Sequence, residues 1–155
     1  MSIFVSTYVN KLDKKGRVSV PASFRTALEK QPVPGLVSLR SYTTKAIEVF
    51  GGDIMERMVS QVDQMPMFSS QRSDYTSAIF ADCEHLSFDS EGRITLPESL
   101  LKHANIQGHV AFVGCGSTFQ MWEPTAFAHH KEQARLRLQQ GEMSLPFHVI
   151  KGGQA

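Results

Sequence analysis

Short runs in which apolar and polar residues alternate take turns along this chain with longer runs in which apolar residues recur every three or four positions. Val9 to Leu12 and Arg17 to Val20 predict two strands flanking Asp13-Lys14-Lys15-Gly16, a loop of hairpin length. Asp13 can close its own turn through an Asx hydrogen bond, and Gly16 supplies the positive φ that a bulged hairpin needs. Pro21 suits the first turn of a helix, where a missing N–H costs nothing. Phe24 and Leu28, four apart, aim that helix at a core. The β-prone runs LVSLRSY and AIEVF predict a second hairpin. From Asp53 to Met65 a helical pattern puts Ile54, Met58, Val62 and Met65 on one face, with Asp53 placed to cap the start and Pro66 to end it. That Met-rich face reads as core or subunit interface. Ser69 then opens another helix.

The same plan returns further along. LSFDSEGRITLPESLLKHA, from Leu86 to Ala104, carries Asp89, Gly92, Arg93 and Pro97 at one fixed offset from Asp13, Gly16, Arg17 and Pro21. Ile94, Thr95 and Leu96 keep the order of Val18, Ser19 and Val20: apolar, small hydroxyl, apolar. This is an internal repeat. Pro97, Leu100, Leu101 and Ala104 predict the equivalent helix, and HVAFVG with TFQMW the equivalent second hairpin. A last helix is predicted from Pro124 to Gln140, carrying His129, His130, Lys131, Arg135 and Arg137 on a solvated face, with Gly141 as its stop. The closing HVIKGGQA reads as frayed. The expected organisation is one repeat domain over 7–54, a helical connector over 55–82, a second repeat domain over 83–126, and a C-terminal helix and tail over 127–155.

Charge changes this picture locally. Over the 155 residues, sixteen Lys and Arg nearly cancel fifteen Asp and Glu, which excludes a uniformly basic coat but not a basic patch. From Lys11 to Lys30 there are six basic residues against Asp13 and Glu29, whereas Asp82 to His103 carries five acids against Arg93 and Lys102. The two copies are electrostatically opposite. Two cysteines are too few for a disulfide framework, no signal-peptide pattern opens the chain, and no apolar run reaches the roughly twenty residues of a membrane span. A soluble cytoplasmic protein is expected.

Taken singly, Asp-x-x-Gly is a common hairpin loop, with Asp13 and Arg17 paired in solvent for about 0.5 kcal/mol. The pleat adds to that. With Val18 and Val20 inward, Arg17 and Ser19 face outward beside Lys14, Lys15 and Arg25, and the second turn projects Arg93 and Thr95 in the same way. A two-stranded β-ribbon fits the major groove of DNA, and guanidinium and hydroxyl groups suit phosphates and guanine edges. A turn built twice also fits binding better than catalysis, which needs different groups converging on one point. Cys83, His85, His103, His109 and Cys115 have no CxxC or HxxxH pair to anchor zinc, and a buried thiol beside surface histidines is the expected arrangement. VFGGD lacks the Gly-Lys-Ser/Thr ending of a phosphate loop, and no Ser/His/Asp set is suggested by spacing. No enzyme, metal or cofactor is expected.

The paired LDKKGRVSVP and FDSEGRITLP, with the opening STYVNKLDKKGRVSVP and the FQMWEP that ends the second copy, resemble the MraZ family of bacterial transcriptional regulators, which carry two tandem SpoVT/AbrB-type domains. The resemblance implies an α+β fold of swapped-hairpin β-barrel halves with flanking helices. It also implies a cytoplasmic, nucleoid-associated location, ring-like homo-oligomers, and binding to repeated sites in double-stranded promoter DNA before the division and cell-wall gene cluster, usually as a repressor. By resemblance Lys14, Lys15 and Arg17 contact DNA. Glu91 stands where the first motif has Lys15, so the second motif lacks that phosphate ligand. The rival expectation is a protein interaction module, an antitoxin-like scaffold whose helix captures another protein. The tandem copies in one chain count against it.

Overall fold

In the computed structural model, which describes residues 2–141, the repeat appears as one run of elements used twice. The first copy forms β1 (Thr7–Lys11), β2 (Arg17–Ser19), α1 (Ala22–Glu29), β3 (Leu36–Arg40), β4 (Ile47–Phe50) and α2 (Gly52–Asp63). Helix α3 (Ser70–Ala78) and a 3-10 turn (Phe80–Asp82) lead into the second: β5 (Glu84–Leu86), β6 (Arg93–Thr95), α4 (Glu98–Ala104), β7 (His109–Gly114), β8 (Phe119–Trp122) and α5 (Pro124–Gln139). The expected α3 start is present, with the Ser69 hydroxyl accepting from Arg72 N at 3.2 Å. The HVIKGGQA tail lies outside the described residues. Residues 2–124 form one compact unit, and the described part of the second, 125–141, carries α5 after its first residue; α5 has no fully buried residue.

Strand pairing departs from the local expectation. The hairpins β3–β4 and β7–β8 form as antiparallel pairs. The first two strands of each copy share a turn but no ladder among the described residues. Instead β1 pairs with β7 of the other copy, β5 pairs with β3, and β2 pairs with β6. The result is a six-stranded antiparallel sheet in the order β1-β7-β8-β4-β3-β5, and a separate two-stranded ribbon, β2–β6. The cause lies in burial: β7 hides four consecutive residues and is an interior strand, so it needs a partner on each edge. β8 fills one edge and β1 the other.

The registers give the two copies a two-fold relation. Val18 lies opposite its repeat equivalent Ile94, and Glu48 opposite its equivalent Gln120. Gln120 Nε2 donates to both Glu48 carboxylate oxygens at 3.0 Å, tying β4 to β8 where the copies meet. Around this relation one core collects residues from both copies, including Phe24 and Leu28 of α1 and Leu100 and Ala104 of α4, all as the helical spacing predicts. Phe4, Phe24 and Phe119 stack within it, with ring centroids 4.8–5.3 Å apart. The chain reaches Phe4 by crossing Gly114, where a Cβ would come within 2.4 Å of the Val5 backbone. Only glycine permits that approach.

Helix α2 packs Ile54, Met55 and Met58 on a smaller cluster of Val37, Leu39 and Phe50, so its apolar face is partly core as expected. Its start differs from expectation. Gly51 is the capping position, Asp53 lies inside the first turn, and Gln31 Oε1 accepts from Asp53 N at 2.9 Å. A glutamine from the end of α1 has taken the cap, a long-range partner that local spacing cannot reveal.

Candidate nucleic-acid interface

Both turns are built by an aspartate. Asp13 Oδ1 accepts from the backbone N–H groups of Lys15 (2.9 Å) and Arg17 (2.8 Å), and its Oδ2 takes Arg17 Nε at 2.6 Å. Gly16 closes the loop with φ 80°. The second turn repeats this almost atom for atom. Asp89 accepts from Glu91 N and Arg93 N, both at 2.9 Å, and from Arg93 Nε at 2.8 Å, with Gly92 at φ 75°. The Arg17 and Arg93 backbone N–H bonds are the largest cause holding the Asp13 and Asp89 carboxyls below the ordinary carboxylate range. Each aspartate therefore fixes the turn and orients its arginine through Nε.

Pairing of β2 with β6 brings the turns together. Arg17 lies opposite Thr95 and Ser19 opposite Arg93, while Val18 and Ile94, each 1% exposed, point into the core. Because successive side chains alternate, Arg17, Ser19, Arg93 and Thr95 share the outer face. Backbone bonds from Leu96 N to Gly16 O (2.8 Å) and from Val20 N to Gly92 O (3.2 Å) fasten each turn to the other copy's strand. The outward direction expected for Arg17 and Ser19 holds. What local reading missed is that both motifs form one continuous ribbon.

The two arginines differ in their partners. Arg93 Nη2 also lies 3.2 Å from Glu91 Oε2, and its Asp89 bond raises the guanidinium's pKa further. At the place of Glu91 the first turn has Lys15, which adds positive charge beside Arg17.

Arg25 is not where the charge count along the chain puts it. Its Nη1 donates to Val20 O at 2.5 Å, and its guanidinium lies over Gly92, where a Cβ would come within 2.7 Å of Arg25 Nε. It therefore stands at the second, acidic turn rather than beside Lys14 and Lys15. The crossing of the copies explains this: α1 packs on the other copy's turn, and α4 packs on the first, where a Cβ on Gly16 would lie 3.9 Å from Leu101, the repeat equivalent of Arg25. The electrostatic opposition of the two copies is partly mixed by the fold.

The remaining candidates are committed elsewhere. His85 Nε2 shares a hydrogen bond with Pro34 O at 2.6 Å and His103 Nε2 with Ala46 O at 3.0 Å. Cys83 is half-buried and Cys115 exposed, in place of the buried thiol expected. Among the described residues no group of three or more His, Cys, Asp or Glu is placed to hold a metal ion, and no helix is long and apolar enough to cross a membrane. Asp82, counted with the acidic second copy, is bound by Arg40 of the first through two hydrogen bonds of 2.6 and 3.0 Å.

Comparison with known proteins follows the doubled arrangement. Residues 3–72 and 79–144 each match the sequence profile of a family described as "MraZ protein, putative antitoxin-like". The chain is 43% identical over 143 residues to the "Transcriptional regulator MraZ" of Pelagibacter ubique, covering 92% of each chain. It is 43% identical over 158 residues to the protein of the same name from Gluconacetobacter diazotrophicus, covering 100% of this chain and 99% of that one. Against the namesake from Rickettsia akari the identity is 38% over 135 residues, covering 87% of this chain and 91% of the relative. With both segments matched in tandem over a mixed α/β, mostly antiparallel scaffold, the chain belongs to the MraZ family.

Proposed function

We propose that the chain is a sequence-specific, double-stranded DNA-binding transcriptional regulator that presents the outer face of β2–β6 to the major groove. The observation that carries this reading is the shared face of Arg17, Ser19, Arg93 and Thr95 on a two-stranded antiparallel ribbon. Such a ribbon matches the width of the groove, and its guanidinium and hydroxyl groups match phosphate oxygens and guanine edges. Relatives that carry the name transcriptional regulator support a role in transcription. Lys14, Lys15 and Arg17 supply the principal cationic contacts. Ser19 and Arg93 extend them, and Arg25 supports the second turn by covering Gly92 and offsetting Asp89 and Glu91.

The finer reading is a repressor of the division and cell-wall gene cluster, including the protein's own gene, acting in the nucleoid as a ring-like homo-oligomer on direct repeats. The crossed pairing of β1 with β7 and β5 with β3 supports a swapped-hairpin description of the two halves. Each ribbon offers few contacts, so several held in one body gain affinity through effective concentration when the DNA repeats match their spacing. A gel shift with DNA from upstream of the protein's own gene, at two salt concentrations, tests the reading. Specific binding that weakens steeply with salt is expected. Absence of binding at low salt, with capture of a protein partner instead, would favour the interaction module.

A further inference from the structure

We infer that Lys102 of α4, together with Lys14 and Lys15 of the first turn, forms a cleft that takes a backbone phosphate of bound DNA beside the ribbon; this deepens, and rests on, the DNA-binding reading above. The cleft is an open depression of about 520 Å³ between the first turn and the end of α4. Lys14, Lys15, Lys102, Asn105, Gln107 and Glu98 line it. Three ammonium groups face one carboxylate, and the Lys102 to Glu98 contact, 3.4 Å between largely exposed side chains, is too weak and solvated to cancel that excess. Two of the carbonyls that end α4 are capped by backbone donors, which softens the negative pole of the helix toward an anion. Leu101 O accepts from Ile106 N at 3.0 Å, and Lys102 O from Asn105 N at 3.2 Å.

Nothing in the local sequence points to Lys102, which belongs to the acidic copy and lies far from the first turn along the chain. It arrives there because β2 and β6 pair across the copies, which sets α4 against Gly16. At the other end of the ribbon the helix cation is Arg25 of α1, which is committed to Val20 O and lies over Gly92. The repeat equivalent of Lys102 is Thr26, whose hydroxyl donates to Ala22 O within its own helix, and Glu91 replaces Lys15 there. The cleft therefore biases the ribbon's free positive charge toward the first turn, and a phosphate held in it favours one orientation of the ribbon on DNA. Lysine suits this task as a mobile point charge with no demand for bidentate geometry.

The test measures promoter-DNA affinity of the full chain across a salt series for the natural protein and for Lys102→Ala, Lys102→Glu and Lys102→Arg, with thermal melts as controls. Each neutralised phosphate contributes about 0.9 to the slope of log affinity against log salt, so Lys102→Ala should lower the slope by about that amount per engaged cleft. Affinity should fall several-fold for Ala, further for Glu, and be kept by Arg. An unchanged slope and affinity in a folded Lys102→Ala variant, on DNA that the natural protein binds, would overturn the cleft alone. Failure of the natural protein to bind any upstream DNA would overturn both the cleft and the reading it rests on.

Discussion

Glu91 holds the Arg93 guanidinium at 3.2 Å, and at the equivalent place beside Arg17 stands Lys15. Both arginines are oriented through Nε by an aspartate, but the second has a carboxylate on a terminal nitrogen as well. A phosphate approaching Arg93 meets a guanidinium already partly neutralised and a like charge beside it, a juxtaposition that costs up to several kcal/mol when desolvated. Arg17→Ala is therefore expected to weaken DNA binding more than Arg93→Ala, and the loss grows where several subunits must bind together. Neither change should move the melting temperature much, since both side chains lie outside the core. Parallel titrations at one fixed salt decide it, and a larger loss for Arg93→Ala would refute the argument.

The converse change is expected to strengthen binding. Glu91→Lys frees the Arg93 terminal nitrogen and gives the second turn the cation that the first already has. The backbone bond from Glu91 N to Asp89 is kept, so the turn should survive. Affinity should rise and the salt slope steepen, as counterion release from an added contact requires. A folded Glu91→Lys variant with unchanged affinity would mean that the second turn does not approach DNA.

The turns also carry an acid limit. Asp13 and Asp89 have carboxyl pKa values lowered in the folded state by backbone N–H bonds first, with side-chain bonds to their arginines adding to them. A folded pKa below the unfolded one contributes stability that is complete above the unfolded value, about 4 for a carboxylate, and is lost as pH falls through the folded value. The melting temperature attributable to these groups should thus be flat from pH 7 to about 5 and fall below about 4. In the double variant Asp13→Asn, Asp89→Asn the acid fall should be shallower and the neutral plateau lower. Melts from pH 7 down to pH 3 measure both, and an unchanged acid slope would remove the aspartates as its cause.

How much of this was legible in the sequence depends on the range of the interaction. The Asp-Gly turns, the inward Val18 and Ile94, the α1 face of Phe24 and Leu28, and the hairpins β3–β4 and β7–β8 rest on neighbours within a few residues, and periodicity reports them. The crossing of β1 to β7, the Gln31 bond at the start of α2 and the placement of Arg25 on Gly92 are contacts between distant segments. Local pattern assigns Arg25 to its own copy because it cannot say which turn α1 will cover. The repeat held the missing clue: once the copies are known to interleave, Arg25 and Leu101 must exchange turns together.

Interleaving has a narrow point at Gly114. The N-terminal segment crosses it with Gly114 N donating to Ser6 O at 2.8 Å, and Phe4 pairs with Gly116 just beyond. Gly114→Ala would drive a methyl group into the Val5 backbone, which cannot yield as a flexible side chain would. The segment must move and draw Phe4 from the Phe24 and Phe119 rings. Overpacking of this kind costs about 1–3 kcal/mol, and loss of ring contacts adds to it. Urea unfolding should show a lower midpoint with an unchanged slope, and a midpoint equal to that of the natural protein would contradict the crossing.

Assembly is the last expectation. β1 forms one outer edge of the six-stranded sheet, and Val9 on it is 52% exposed, with Ile3 and Val5 of the preceding segment more so. An edge strand flanked by exposed apolar side chains is a template for further pairing or packing, and it carries only Lys11 as a guarding charge. Light scattering coupled to gel filtration should find a mass that is a multiple of one chain at micromolar concentration, and a single species at the mass of one chain would end the proposed ring. Val9→Lys places a charge on this edge without touching the core or the β2–β6 ribbon. If β1 contributes to the contact, the variant should assemble less while melting near the natural temperature. Its DNA affinity should then fall as well, although every residue of the ribbon is intact, because each ribbon engages with the effective concentration that its neighbours supply. A Val9→Lys protein that loses assembly but keeps full promoter affinity would show that a single ribbon suffices for binding.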